Sequence, residues 1–291
     1  MNPEQVRERE SRWAVPAALA AFAAVILMLL PRFISAVSGS GEAEVLRSVD
    51  AHNGSVLLTS LLQAGAFLFL LIPLVYLFRA ARARSERVLP QMIVLVVVAP
   101  LLVAAGALLF GQSRQEAADK FVAGEAKPTI SAKELKEECE GEKFLTPCEK
   151  EEREDDAASN AISDTSLTAV ALTVSLGGGL LFAISLFYTC LWAMRTGLLT
   201  RFWGSLGMAL GIAVLINLII LSVVWFVYLG LLYLGWLPGG KPPAWEEGKA
   251  VPWPTPGERA ASELEPTDAE PVGSAGEPGE AGERRKRKQR E

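Results

Sequence analysis

Apolar and polar positions along this chain alternate in blocks rather than residue by residue. Val56–Phe78 (VLLTSLLQAGAFLFLLIPLVYLF) carries no charge and is closed abruptly by RAARARSER, Arg79–Arg87. An uncharged run of that length predicts a membrane-spanning helix, since about 20 residues cross a hydrocarbon core of ~30 Å. Four arginines against one glutamate then mark the cytoplasmic side. A second apolar run follows at once, so a helical hairpin with its tip in the cytoplasm orients the rest.

The same blocks recur along the chain. Residues 1–12 are polar and mixed in charge and read as a frayed cytoplasmic end. A first span is expected over Trp13–Phe33 with Pro16 in its opening turn, where a missing N–H costs least. This run is longer than the apolar region of a secretory signal and is read as an uncleaved helix. Glu42–Asn53 has Val45, Leu46 and Val49 on one side, which predicts a short amphipathic helix on the outer membrane surface. The second span covers Ser55–Arg79 with a kink at Pro73, and the third Val88–Gly111 with Pro100 near its middle. Gln112–Ser163 holds 14 acidic and 8 basic side chains and is placed outside by the hairpin before it. Within it Gln115–Val122 prolongs the third helix, Ser131 with Glu134 forms a capping box, and Thr146–Pro147–Glu149 starts another helix.

The fourth span is expected over Ser166–Met194, where Ala171, Ser175, Gly179 and Ala183 recur every four residues as a close-packing stripe. Its turn, Arg195–Arg201, has two arginines and no acid, which is a cytoplasmic signature. Trp203–Leu237 reads in two ways. One tilted helix would be about 50 Å long and put the tail outside. A hairpin near Asn217–Ser222 would put it inside, and that six-span reading is preferred. From Pro238 the remaining residues contain 9 of the 17 prolines. Thr255–Glu291 cannot bury enough apolar surface to offset ordering entropy and is read as disordered. Lys241–Pro254, with Trp245 and Trp253, is placed along the headgroup region. The expected organisation is therefore a cytoplasmic N-terminus (1–12), three membrane helices (13–111), a charged extracytoplasmic loop (112–163), the C-terminal membrane helices (164–237) and a Pro/Gly/Glu-rich tail (238–291). The fold class is all-α: a polytopic bundle of five or six spans with a small helical outer loop.

Composition narrows the chemistry. The chain has one histidine and three cysteines in 291 residues. No ionisable side chain falls inside an expected core span, which argues against ion-coupled transport. There is no HExxH, CxxC or phosphate-binding glycine loop, so no catalytic, cofactor or metal residues are assigned. His52 is read as a solvated residue before the Asn53–Gly54 turn. Cys139 and Cys148 lie in the outer loop, where an oxidising compartment predicts a disulfide, and Cys190 is read as a buried small apolar residue. The acids of Glu149–Asp156 lack calcium-loop spacing and are read as a solvated face. Gly207 and Gly211 form a GxxxG pair, read as an intrachain contact with a homodimer contact as the alternative. Arg284, Arg285, Lys286, Arg287, Lys288 and Arg290 would meet anionic lipid headgroups if cytoplasmic. Nucleic acid is disfavoured because the cluster is short and follows glutamates.

LQAG (62–65) leading into PLVYLFRA (73–80), MRTGLLTRFWGSLG (194–207) and GWLPGGKPPAWEEG (235–248) together resemble a family of bacterial multi-pass membrane proteins of unknown function. The resemblance covers most of the membrane part and not the tail. It implies a bacterial cytoplasmic membrane and six spans with a turn between the last two, where this chain lacks an obvious Gly/Pro turn. It implies no activity and no site residues. Two functions are expected in order: a non-enzymatic scaffold or envelope sensor acting through the outer loop and tail, then a small uncoupled transporter or channel. Thr59, Ser60, Gln63, Ser175 and Asn217 are its polar lining.

Overall fold

A computed structural model describes residues 3–139, 145–215 and 218–253. The one compact unit described ends at Trp253, and the expected disordered tail and its basic cluster, Arg284–Arg290, lie outside the described residues. The described residues are helical, with no strand. In chain order the helices are α1 (Pro3–Leu29), α2 (Pro31–Ile34), α3 (Glu42–Ala51), α4 (Asn53–Arg84), α5 (Met92–Val122), α6 (Ala132–Glu138), α7 (Leu145–Ser163), α8 (Ser166–Arg195), α9 (Arg201–Leu215), α10 (Ile219–Leu234) and α11 (Pro243–Glu247).

Four of these segments are long and apolar enough to cross a membrane: Pro3–Ile34, α4, α5 and α8. Their outer faces are as apolar as their inner ones. On α8, Leu172, Leu176, Leu180, Ile184 and Phe187 are all about half exposed, at a helical spacing that makes one continuous greasy face. A helix apolar on every side belongs in lipid. Inside the bundle, α5 packs on α8 and α4, α1 on α4 and α10, and α8 on α9. Small side chains permit these approaches. Gly106 of α5 lies against Ser175, Gly178 against Leu102 and Val103, and Gly211 of α9 against Ala183. Ala171 and Gly179 are buried on the same helix. Gly207 faces Cys190 and Trp225, so both glycines of the GxxxG pair are covered within the chain.

Several expectations change. The first helix starts at Pro3 instead of fraying to residue 12. Val6 and Glu10 are buried, and Pro16 sits inside α1, not in an opening turn. A single long helix over 203–237 does not form. α9 and α10 are separate and antiparallel: Trp203 stacks on Tyr228 at 3.8 Å, and Trp225 Nε1 donates to Trp203 O at 3.0 Å. At 15 and 16 residues each is about 23 Å long, short of the ~30 Å core. Asn217, the expected turn residue, lies outside the described residues. Gly235 closes α10 in the left-handed conformation (φ 77°), where glycine carries no Cβ penalty.

Residues 236–253, which include most of the stretch expected along the headgroup region, fold against the end of the bundle. Trp245 is buried, and its Nε1 donates to Leu198 O at 2.9 Å. Trp253 Nε1 donates to Leu199 O at 2.9 Å, and Val251 N to Thr196 O at 3.1 Å. Gly197 has φ 80°, and a Cβ there would collide with Val251 O, so the turn and this brace fit only with glycine at that position. Two indole N–H groups that would otherwise need water are met by turn carbonyls, which is why the segment docks. We refer to this end of the bundle as basal and to the opposite end as the cap.

The cap is also more ordered than a charged loop. α3 is the expected short amphipathic helix, and its apolar side is covered: Ala43, Leu46 and Val49 pack with Val56, Ala117, Ala118, Ala158 and Ala161 into a small core. Three of the α7 acids expected as a solvated face make contacts across the cap, while Glu151 stays exposed. Asp155 Oδ1 accepts from Ala43 N at 2.8 Å, satisfying an orphan donor at the start of α3. Asp156 Oδ2 accepts from Ile130 N at 3.0 Å and from Thr129 N, while Glu154 pairs with Arg47 at 2.6 Å. Ser131 and Glu134 make both arms of the capping box at α6. Cys139 and Cys148 are disulfide-bonded, Cα–Cα 6.0 Å, tying the end of α6 to the start of α7.

Candidate functional site

The short α9–α10 hairpin leaves part of the bundle unfilled. α1, α4, α5 and α8 run on toward the cap beyond the described ends of α9 (Leu215) and α10 (Ile219). A cavity of about 360 Å³ lies there, with Val214, Leu218 and Ser222 from the tip region and Met28, Phe67, Val103 and Ser175 on its walls. A second cavity of about 520 Å³ lies nearer the cap, bounded by Arg32, Val49, Thr59, Ser60 and Arg114. Gln63, Ala107 and Phe110 line both, so the two spaces meet at those side chains. Each volume is within the range of small-molecule sites.

The polar inventory of this space is specific. Thr59 and Ser60 both donate to Val56 O at 2.9 Å, which leaves their oxygens free to accept, with Ser60 Oγ close against Gly111 of α5. Gln63 is exposed on α4 about ten residues into an apolar helix and makes no hydrogen bond among the described residues, so in lipid its carboxamide would need a partner. Arg32 and Arg114 face the cap-side space, and neither has an ion-pair partner among the described residues. Arg114 lies 5.1 Å from the Phe110 ring centroid, a cation–π contact that leaves its N–H donors free. Among the described residues no acid lines either cavity.

Of the residues expected as polar lining, Thr59, Ser60 and Gln63 share the upper cavity, and Gln63 and Ser175 share the lower one. Arg32, Arg114 and Ser222 were not anticipated. The arginines flank spans in sequence and read as generic boundary charge. Only the packing of α2 and α5 against α4 brings them to one opening. Ser222 was visible as a polar break within 203–237, but its place at the hairpin tip depends on the fold of α9 and α10.

The basal end holds a second unanticipated constellation. Arg84, fully buried, pairs with buried Glu10: Arg84 Nη2 lies 2.8 Å from Glu10 Oε2, and Nη1 is bonded to Oε1. The guanidinium also donates to Ala244 O through Nε at 3.0 Å and Nη2 at 2.8 Å and lies 5.3 Å from the Trp245 ring. Tyr76 Oη donates to Glu10 O at 3.1 Å, and Tyr233 Oη to Pro73 O at 3.0 Å. One arginine thus joins α1, α4 and the brace. Nearby, Lys241 Nζ donates to Tyr233 O at 2.9 Å. Burial holds that ammonium below its ordinary range, against the opposing pull of Glu10 and Glu246.

No three histidine, cysteine or acidic side chains come together as a metal site among the described residues. His52 Nδ1 lies 3.0 Å from Ser48 O, at the end of α3. Compared with known protein families, with curated proteins and with solved structures, the chain matches none.

Proposed function

We propose that this chain is a non-enzymatic scaffold or sensor of the bacterial cytoplasmic membrane, with its cap outside and its basal end in the cytoplasm. It has six membrane-embedded helices, the last two forming a short hairpin that enters and leaves on the basal side. Arg79, Arg82, Arg84, Arg87, Arg195 and Arg201 all lie toward the basal end, which supports a cytoplasmic assignment. The disulfide in the cap suits an oxidising exterior. One observation carries the functional reading: α4 runs unbroken from Asn53, beneath the cap, to Arg84 in the basal clamp. A helix of 32 residues pinned at both ends is a stiff rod of about 48 Å, able to hold cap and brace in fixed register. The test is photocrosslinking in cells from exposed cap positions of α7 and from the brace. Discrete partners at either are expected; none at both overturns the reading. A two-compartment reporter fused after Glu291 should be active only in the cytoplasm.

A small uncoupled transporter or channel is the second reading, favoured by the meeting of the two cavities at Gln63. The path is closed below the hairpin tip, where Phe182, Leu186, Trp225, Phe226 and Leu229 are fully buried, and this ranks it second. Liposomes of the purified protein showing no solute flux above empty vesicles would remove it.

A further inference from the structure

We propose that the joined cavities under the cap bind one anionic amphiphile, an acidic phospholipid of the cap-side leaflet with a chain inserted toward the hairpin tip. The polarity of the lining changes along the cavities as it does along a phospholipid. At the opening stand Arg32 and Arg114, without acidic partners among the described residues, and no described acid lines the space. Arginine donors complement a phosphate in the fork geometry that lysine cannot offer. Next in depth come the hydroxyl oxygens of Thr59 and Ser60 and the unpaired carboxamide of Gln63. That carboxamide can donate to an ester carbonyl of the lipid backbone. Further along α4 and α5 from the arginines come Phe67 and Val103, with Val214 of α9, an apolar end suited to hydrocarbon. Headgroup, ester and chain therefore meet charge, amide and grease in the order a phospholipid presents them.

Depth agrees with this order. Along α4 the lining runs from Val56 to Phe67, a rise of about 17 Å. That is roughly half of a ~30 Å hydrocarbon core, the thickness of one leaflet. Val214, Leu218 and Ser222 bound the space at that depth, so a chain from the cap side fits and a molecule crossing both leaflets does not. A free phosphate or small acid would use the arginines but leave the lower cavity unfilled. The site itself rests on the cavity geometry; only its assignment to the outer leaflet rests on the orientation proposed above.

The test uses the full chain purified in detergent, titrated with phosphatidylglycerol or with phosphatidylcholine of the same chains, with bound lipid counted by native mass spectrometry. Phosphatidylglycerol should bind in preference, at one copy per chain. The double variant R32Q/R114Q removes two exposed charges and should weaken it about thirtyfold while leaving phosphatidylcholine unchanged. R82Q/R87Q removes two exposed charges at the basal end and should change affinity less than twofold. Ala107→Leu, at the junction of the two spaces, should weaken both lipids, with the melting temperature recorded to exclude unfolding. Equal binding of the two lipids overturns the proposal. So does equal weakening by the two charge pairs, or displacement by glycerol phosphate as effectively as by lipid, which would mark a free-anion site. Loss of this site with cap and brace crosslinks intact would leave the scaffold reading standing.

Discussion

Glu10→Gln tests the clamp that joins the N-terminal helix, α4 and the brace. The substitution keeps shape and removes charge, leaving the Arg84 guanidinium buried without its counter-ion. Breaking a buried pair by removing one partner costs about 3–5 kcal/mol. The low end applies because Ala80 O and Ala244 O still accept from Arg84 at 2.8–3.0 Å and the Trp245 ring remains beneath it. At about 3 kcal/mol, the equilibrium for releasing residues 236–253 should shift about 150-fold. Hydrogen exchange in detergent reads this directly at the Val251 amide, which is bonded to Thr196 O at 3.1 Å. Arg84→Met should have a similar effect, since it strands Glu10 and takes two donors from Ala244 O. The double variant E10Q/R84M should cost little more than either single one, because neither charge is then stranded. Additive losses would refute the coupling. Unchanged exchange at Val251 in E10Q would refute the claim that Arg84 bolts the brace.

Three further outcomes are expected. The Arg47 guanidinium beside Glu154 holds that carboxyl below the usual range. A depressed folded-state pKa contributes stability above the unfolded value of about 4.3 and loses it as pH falls through the folded value; α7 exchange should therefore rise on acidification below about pH 4, and R47Q should remove that component, which stays small because both side chains are partly exposed. Cys139→Ser with Cys148→Ser opens a loop of sequence separation 9, worth about 2–3 kcal/mol by chain entropy; proteolysis within 132–148 should accelerate while the melting of the bundle stays put, and unchanged cleavage would contradict a bridge that holds α6 to α7. Gly211→Val places a Cβ 2.9 Å from Ala183 Cα, so overpacking between α8 and α9 should cost about 1–3 kcal/mol, visible as a lower melting temperature in detergent; an unshifted midpoint would mean that the hairpin can move away freely.

What the sequence determined by itself was local. Uncharged runs predict α4, α5 and α8 within a few residues, because a backbone in lipid has no option but to bond to itself. Ser131 and Glu134 predict the start of α6 because a capping box is closed within one turn. The cysteines, nine positions apart in a charged loop, predict their own bridge. What only the tertiary structure decided are pairings between distant positions. Glu10 meets Arg84 across 74 residues, and Asp155 caps α3 across 112. In the sequence each looks like an ordinary flanking charge. The docking of the brace is of the same kind: Trp245 and Trp253 have the composition of a membrane-interface segment, and only the fold brings the carbonyls of Leu198 and Leu199 to their N–H groups. The cavity is the clearest case. Gln63 and Ser175 are legible as polar residues in greasy helices, but the space they line arises only once helices distant in sequence are packed side by side.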